Sequence, residues 1–271
     1  MAALGLTPEE KAFYQDNGYI LCRGLFTPGE ATELRREAHA LAQRLQQFRQ
    51  IEVAWATVRA TGTVVQHCHD VQFYAAAFAR MIVDPRLTAV AQSIIGPNVQ
   101  LHHTKMFIKP PERGAPFPMH QDYPYFPFKN DSMIAAIIHF DDAPLEKGCV
   151  RVVPGSHKLG PLATTAADYS LPHEQYPIEK ATPCPAQAGD VLFFSYLTIH
   201  GSGINASKEA RTTVLVQMRD PEDVPLARVH ESWGQGMMLA GIDPTCCQTK
   251  RLWTQADEKR QQEVLATAAA G

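Results

Sequence analysis

Helical spacing of apolar residues marks the first third of the chain. Between positions 28 and 47 such residues recur every three or four positions, as on one buried face of a helix. They are Ala31, Leu34, Ala38, Leu41 and Leu45. An earlier helix should end at Gly18, because glycine commonly follows the last helical residue. A further helical stretch is predicted from about residue 73 to 95, with a break at Pro85.

From about residue 99 the pattern changes to short runs rich in β-branched and aromatic residues. These runs cover residues 99–108, 133–140, 150–153, 191–195 and 212–218. Pro, Gly and Asp clusters separate them, as turns separate strands. Residues 233–240 are rich in Gly and Met and follow neither period, so we expect a loop there. Helices followed by strands predict a mainly β fold with helices packed outside it.

Composition narrows the class of protein. Apolar residues make up 45% of the 271 positions and charged residues 20%, which is ordinary for a globular domain. With 25 basic and 28 acidic residues the net charge is -3, and no basic patch argues for nucleic acid. The amino terminus has no secretory pattern, and the longest apolar run is far too short to cross a bilayer. Six scattered cysteines without a C-x-x-C pair suggest reduced thiols and a cytoplasmic protein.

A candidate metal site lies in the predicted β half. His120 and Asp122 are two residues apart at the end of a predicted strand, so their side chains should point to the same side. His200, which follows a strongly apolar run, could supply a third ligand. Two histidines and one carboxylate on one face of an octahedron are the ligand set of non-haem Fe(II) oxygenases. An H-x-D tripeptide by itself, however, occurs by chance in many chains.

A further candidate supports the metal hypothesis. Arg211 lies eleven residues after His200, at the start of a predicted strand. A guanidinium stays charged when buried, and its paired donors match a carboxylate. This order of residues is that of 2-oxoglutarate oxygenases, in which the arginine holds the far carboxylate of the keto acid. His102 and His103, by contrast, are neighbours in a strand, so we expect opposite faces for them, with at least one on the surface.

At these positions the sequence resembles the phytanoyl-CoA dioxygenase family over some 200 residues. The matching segments are Lys109-Pro110-Pro111, His120-Gln121-Asp122, Tyr125-Phe126-Pro127-Phe128, Gly148-Cys149, Pro154-Gly155-Ser156-His157, Gly189-Asp190 and Ile199 through Gly203. The resemblance implies a double-stranded β-helix, a cupin-like jelly roll, with flanking amino-terminal helices. We therefore expect a single oxygenase domain. Its parts would be a helical portion of about 1–97, a β-helix core of about 98–222 and a loop or helix extension over 223–271.

The resemblance also implies roles for single residues. His120, Asp122 and His200 correspond to the iron ligands, and Arg211 to the anchor of 2-oxoglutarate. Strand geometry adds two candidates: Thr213, two residues along the strand of Arg211, should face the same way, and Lys105 either turns inward or lies on the surface. His67 is a third candidate contact of the co-substrate. His67 falls near a lysine that contacts the keto acid in several relatives, so the second anion contact is either His67 or missing.

The expected reaction is hydroxylation of an unactivated C–H bond with Fe(2+), 2-oxoglutarate and O2, releasing succinate and CO2. Desaturation, epimerisation or demethylation on the same scaffold, or a non-catalytic metal-binding sensor, are the alternatives. Tyr123, Tyr125 and Phe126 are candidate substrate contacts, which would close over the substrate together with the loop at residues 233–238. The alternative is that these rings only pack beneath the mouth of the barrel. A stiff aromatic segment such as this one favours a small substrate with an apolar part, and an acyl-CoA is among the candidates. Neither nucleic acid nor a membrane is expected as a partner, and the oligomeric state is left open.

Overall fold

The computed structural model describes residues 4–47, 53–54, 65–112, 114–164, 169–227 and 230–246. Within these ranges the α-helices are α1 (Pro8–Asn17), α2 (Pro28–Gln47), α3 (Ala76–Ile82) and α4 (Pro85–Ile95). Helix α1 begins with a capping box between Thr7 and Glu10 and ends at Gly18, whose φ of 75° is left-handed. Asp84 caps α4, which explains the predicted break before Pro85. In the described part of the chain, no helix is both long and apolar enough to cross a membrane.

The strands form two antiparallel sheets. They are β1 (Tyr19–Cys22), β2 (Val53–Ala54), β3 (Val65–His69), β4 (Val99–Lys109), β5 (Phe117–His120), β6 (Ile134–His139), β7 (Val150–Val152), β8 (Thr182–Cys184), β9 (Val191–Ser195), β10 (His200–Ser202), β11 (Arg211–Arg219) and β12 (Met238–Ala240). The major sheet has the order β1-β9-β6-β11-β4-β3-β2, with β12 also paired to β4. The minor sheet has the order β5-β10-β7-β8. The predicted mainly β jelly roll with flanking helices is confirmed.

Apolar layers on both faces of the major sheet hold the fold together. Along β9, Val191 and Phe193 belong to the large core that also contains the buried residues of α2, α3 and α4. Their neighbours Leu192 and Phe194 pack on the opposite face, with Val150 of the minor sheet. Because side chains alternate along a strand, one sheet contacts the helices on one face and encloses the barrel interior with the other.

The loop predicted for residues 233–240 ends in a strand. Met238–Ala240 forms β12, in which Met238 pairs with Gln100 and Ala240 with Val99. Leu239 alone in β12 is buried. The loop prediction was therefore wrong at this end, because three residues are too few for an alternating pattern to be recognised.

A β-bulge changes the expected positions of two histidines. In the pairing of β4 with β11, His103 lies opposite Gln217 and Leu101 opposite Met218, so His102 is an extra residue without a partner on β11. Both imidazoles are buried, and their Nδ1 atoms are 2.8 Å apart. The expectation of opposite faces was wrong, because a bulge breaks the alternation of side chains.

Candidate metal centre and active site

Three side chains converge where strands β5 and β10 of the minor sheet pair. His120, the last residue of β5, pairs directly with His200, the first residue of β10. Asp122 follows β5 by two residues, and its Oδ1 lies 3.5 Å from His120 Nε2 and 3.6 Å from His200 Nε2. One ligand atom from each residue lies within 4.8 Å of the others. Pairing of β5 with β10 thus brings together the three ligands that the sequence suggests.

The other polar atom of each candidate ligand has a partner. His120 Nδ1 lies 2.7 Å from the Pro118 carbonyl oxygen, and His200 Nδ1 lies 2.9 Å from that of Thr198. A carbonyl oxygen only accepts, so each Nδ1 carries the hydrogen and each Nε2 keeps a lone pair for a metal. Asp122 Oδ2 accepts a hydrogen bond of 2.7 Å from Gln217 Nε2.

Protonation at the site favours a metal cation. Burial, with a smaller contribution from nearby His120, lowers the pKa of His200 to about 4, so the imidazole is neutral near pH 7. Burial alone would raise the pKa of Asp122, but His200, His120 and Gln217 together keep it below its ordinary value. Two neutral imidazoles and a carboxylate are the ligand forms that metal binding requires. This donor set, on one side of a cavity, fits Fe(II) with further coordination positions available.

The candidate ligands open into a cavity of about 370 Å³. Its opposite wall is the inner face of the major sheet, where Arg211, Thr213, Leu215 and Gln217 follow one another at every second position of β11. The cavity therefore lies between the minor sheet, which carries the ligands, and the strand that carries the candidate anchor of 2-oxoglutarate.

Two buried cations lie side by side at one end of this wall. Arg211 pairs in register with Lys109 of β4, and both side chains are buried. Lys109 Nζ donates to Ser202 Oγ and to the Gly203 carbonyl, each at 2.7 Å, while Arg211 Nη1 donates to the Gly148 carbonyl. Burial and the Arg211 charge lower the pKa of Lys109. The described residues place no carboxylate in contact with either cation, so a bound anion would offset their repulsion.

The other candidate contacts of the co-substrate lie on neighbouring strands of the same wall. Thr213 pairs with Phe107, which in turn pairs with His67. Lys105 lies one row further from Arg211, and its Nζ is 5.1 Å from the Phe107 ring centroid. Thr213, Lys105 and His67 all line the cavity.

Comparison with known proteins identifies the family. A family model described as phytanoyl-CoA dioxygenase (PhyH) matches residues 14–213. The chain belongs to the phytanoyl-CoA dioxygenase family. The matched range contains the three candidate ligands and Arg211, so the family resemblance and the geometry of the cavity concern the same residues.

Relatives within and around this family have diverse names. Peroxisomal phytanoyl-CoA dioxygenase of Bos taurus is 28% identical over 236 residues, which cover 79% of this chain and 69% of the bovine protein. Ectoine dioxygenase of Bordetella parapertussis is 24% identical over 239 residues, covering 80% of this chain and 77% of the relative. The crystal structure of the epimerase SnoN with Fe3+, alpha ketoglutarate and nogalamycin RO has a TM-score of 0.68 at 23% identity, covering 87% of this chain and 96% of that one. At 23% identity, the similarity to SnoN supports the fold of this chain.

The aromatic segment after Asp122 divides between cavity and core. Tyr125 and Phe126 line the cavity of this phytanoyl-CoA dioxygenase family member. Tyr123 is not among the lining residues: its ring centroid lies 5.5 Å from that of Tyr196, in an apolar cluster to which Phe126 and Tyr125 also contribute. The segment at residues 233–238, expected to close over the substrate, also lies outside the cavity lining, and Trp233 is 92% exposed.

A polar surface, which we name the histidine wall, consists of His67, His69, His103 and His230, and only His67 among them was a candidate from the sequence. All four side chains line the cavity next to the candidate metal ligands. Ring centroids are 4.4 Å apart between His103 and His230 and 5.5 Å apart between His69 and His230. Burial is the main cause that lowers the pKa of each of the four, so the wall is uncharged near pH 7. Short-range patterns could not reveal it, because β3, β4 and the segment before β12 meet only in the folded chain.

Proposed function

We propose that this chain is an Fe(II)- and 2-oxoglutarate-dependent oxygenase that hydroxylates a C–H bond of a small organic substrate. One observation carries the proposal: two imidazoles and a carboxylate converge at a cavity that is also lined by the buried guanidinium of Arg211. The overall reaction converts C–H, O2 and 2-oxoglutarate into C–OH, succinate and CO2. Iron(II), when bound, supplies the activation of O2 and the coupled decarboxylation of the keto acid.

The protein side chains bind and orient the reactants. His120, Asp122 and His200 would hold the metal. Arg211 would bind the distal carboxylate of 2-oxoglutarate, with the positive charge of Lys109 behind it. The Thr213 hydroxyl, two residues from Arg211 on the same face of β11, is in position to add a hydrogen bond.

A second contact for the keto acid would come from the neighbouring strands. We assign this second contact first to Lys105, whose Nζ lies 5.1 Å from the ring centroid of Phe107, the residue that pairs with Thr213. His67 would act as a neutral hydrogen-bonding partner, because burial lowers its pKa to about 3. This arrangement replaces a lysine on β3, expected from the family resemblance, by a lysine on the adjacent strand.

The substrate would occupy the part of the cavity nearest the aromatic segment. Tyr125 and Phe126 would contact it, and Tyr123 would support them from the Tyr196 side. Phe107, Phe117 and Phe194 add further apolar surface, which favours a substrate with an apolar part and excludes water from the reacting centre. Acyl-CoA thioesters are the first class to test, since the bovine relative is named for one. A cytoplasmic location is part of the proposal, on the ground of six scattered cysteines without a C-x-x-C pair.

The experiment has two stages. In the first stage, Fe(II) and 2-oxoglutarate are added to the protein in the absence of O2. Together they should produce a metal-to-ligand charge-transfer absorption, which the His200→Ala variant should lack. His173→Ala, which alters an exposed imidazole, serves as the control. O2 is then added with a library of small metabolites that includes acyl-CoA thioesters, and succinate and oxidised product are measured.

A hydroxylated product formed in step with succinate would establish the reaction, and a product lacking oxygen would identify one of the other oxidations. Metal and keto-acid binding with no succinate from any library member would favour a sensor. Absence of the charge-transfer absorption in the unmodified protein would contradict the proposal.

A further inference from the structure

The candidate metal ligands differ in what holds their second polar atom. His120 and His200 are each held by a main-chain carbonyl two residues earlier in their own segment. Asp122 is held by a side chain from far along the sequence, the Gln217 amide on β11. Gln217 therefore connects the ligands, which belong to the minor sheet and its flanking turn, with the major sheet.

Gln217 is placed to act on both halves of the site. It is fully buried, and it lies on the same face of β11 as Arg211 and Thr213. Its neighbours in register are Ala135 of β6 and His103 of β4, so its side chain is fixed between two strands. The anchor of 2-oxoglutarate and the support of a metal ligand thus share one strand and one face.

The orientation of the Gln217 amide shows which contact dominates. Nε2 donates to Asp122 Oδ2 over 2.7 Å, while Oε1 is buried and has no partner in the described part of the chain. The reversed amide would place Oε1 against an ionised carboxylate, and two acceptor oxygens repel each other. The side chain therefore keeps its hydrogen bond to Asp122 even though its own oxygen has none.

We propose that Gln217 is a positioning residue that leaves Asp122 a single oxygen for the metal and fixes the metal relative to Arg211. This inference rests on the proposed function. A carboxylate can bind a metal with one oxygen or two. Two-oxygen binding would occupy one of the positions that the keto acid and O2 need. With Oδ2 engaged by Gln217, only Oδ1 faces the two Nε2 atoms.

The test compares two variants with a control. Gln217→Met keeps the length of the side chain and removes the donor, whereas Gln217→Asn keeps the amide and draws it back by one carbon. Gln72→Met is the control, because Gln72 is also buried but bonds to Thr104 away from the ligands. Thermal melts of the metal-free proteins establish that each variant is folded, and Gln217→Asn carries the test if Gln217→Met is not.

Co(II) is the probe, measured by calorimetry and by its visible absorption. Loss of a partner of a ligating carboxylate costs about ten- to a hundredfold in metal affinity. We expect that loss in both Gln217 variants, with altered Co(II) band intensity from a changed coordination number. We also expect weaker binding of 2-oxoglutarate to the Co(II)-loaded variants, while Gln72→Met matches the unmodified protein.

Co(II) affinity and spectrum unchanged in a folded Gln217 variant would overturn the role of Gln217 and leave the proposed function standing. Failure of the unmodified protein to bind Co(II) would overturn the proposed function itself, and this role with it.

Discussion

The Thr198 hydroxyl donates a hydrogen bond of 2.7 Å to the carbonyl oxygen of Gly18. The carbonyl of the same threonine accepts from Nδ1 of His200. Gly18 ends α1, and its carbonyl also accepts from the main-chain N–H of Ser195. The end of the first helix and a candidate metal ligand are therefore joined through a single residue.

Gly18→Ala should disturb both the fold and the metal site. Gly18 has a left-handed φ of 75°, and an added Cβ would lie 2.3 Å from His157 Nδ1 and 2.7 Å from Thr198 Oγ1. We expect the free energy of unfolding to fall by about 1–3 kcal/mol from backbone strain, with a further loss from the clash. Co(II) affinity should fall as Thr198 moves. Gly24→Ala is the control, because its φ is 59° and nothing lies within 4 Å of an added Cβ. Equal stability and Co(II) affinity of the two variants would refute this link.

Arg211→Ala should weaken 2-oxoglutarate binding and spare the metal. Truncation of one partner of a buried, hydrogen-bonded charge pair costs about 2–5 kcal/mol. The Michaelis constant for 2-oxoglutarate should therefore rise at least about tenfold, since about 1.4 kcal/mol corresponds to a factor of ten. Co(II) binding, measured by calorimetry, should persist. Arg151→Ala removes an arginine bonded to carbonyls outside the cavity and should leave the constant unchanged. An unaltered constant in Arg211→Ala would remove this residue from the co-substrate site.

Tyr125→Ala and Tyr123→Ala should separate a substrate contact from a packing contact. Tyr125 lines the cavity, so its loss should weaken binding of the substrate found by the library screen and increase succinate formed without product. The affinity for 2-oxoglutarate should stay nearly the same. Tyr123 packs on Tyr196, so its loss should lower the melting temperature and leave the kinetics of the folded fraction intact. If Tyr125→Ala shows only the stability loss, its ring is a packing residue.

Acid should destabilise the metal-free protein through buried imidazoles. Burial lowers the pKa of His102 from 6.5 to about 3, with His230 and Arg219 adding to the effect. The unfolded chain takes up this proton near pH 6.5 and the folded protein does not, so the stability is complete above pH 6.5 and declines below it. His102→Phe should reduce the slope of unfolding free energy between pH 6.5 and 4.5 by up to about 1.4 kcal/mol per pH unit. A slope in His102→Phe equal to that of the unmodified protein would contradict the assignment to His102.

The long elements were predictable because their signals are local. The amphipathic spacing of α2 and the apolar runs of β4, β6, β9 and β11 each lie within a few neighbouring residues. The two- and three-residue strands β2, β8, β10 and β12 gave no such signal. The pairing of β8, β10 and β12 depends on strands distant in sequence, as with Met238 and Gln100.

The same distinction applies to the site. His120 and Asp122 stand two residues apart, and Arg211 follows His200 closely, so short motifs suggested all four. Lys109 and Gln217 could not be assigned a role in this way. Lys109 lies beside Arg211 only through the register of β4 with β11, and Gln217 reaches Asp122 only across the barrel. A one-residue slip of β4 against β11 would turn Lys109 to the face opposite Arg211.

The pairing of β1 with β9 has a consequence for the order of folding. Tyr19 lies opposite Phe194, so an early segment of the chain completes an edge of the major sheet. During synthesis β1 emerges long before β9 and must wait for its partner. Contacts between such distant segments form late, because closing a long loop costs entropy before any pairing compensates for it. We therefore expect the pairing of β1 with β9 to be a late step in folding, after α1 and the turn that follows it have formed.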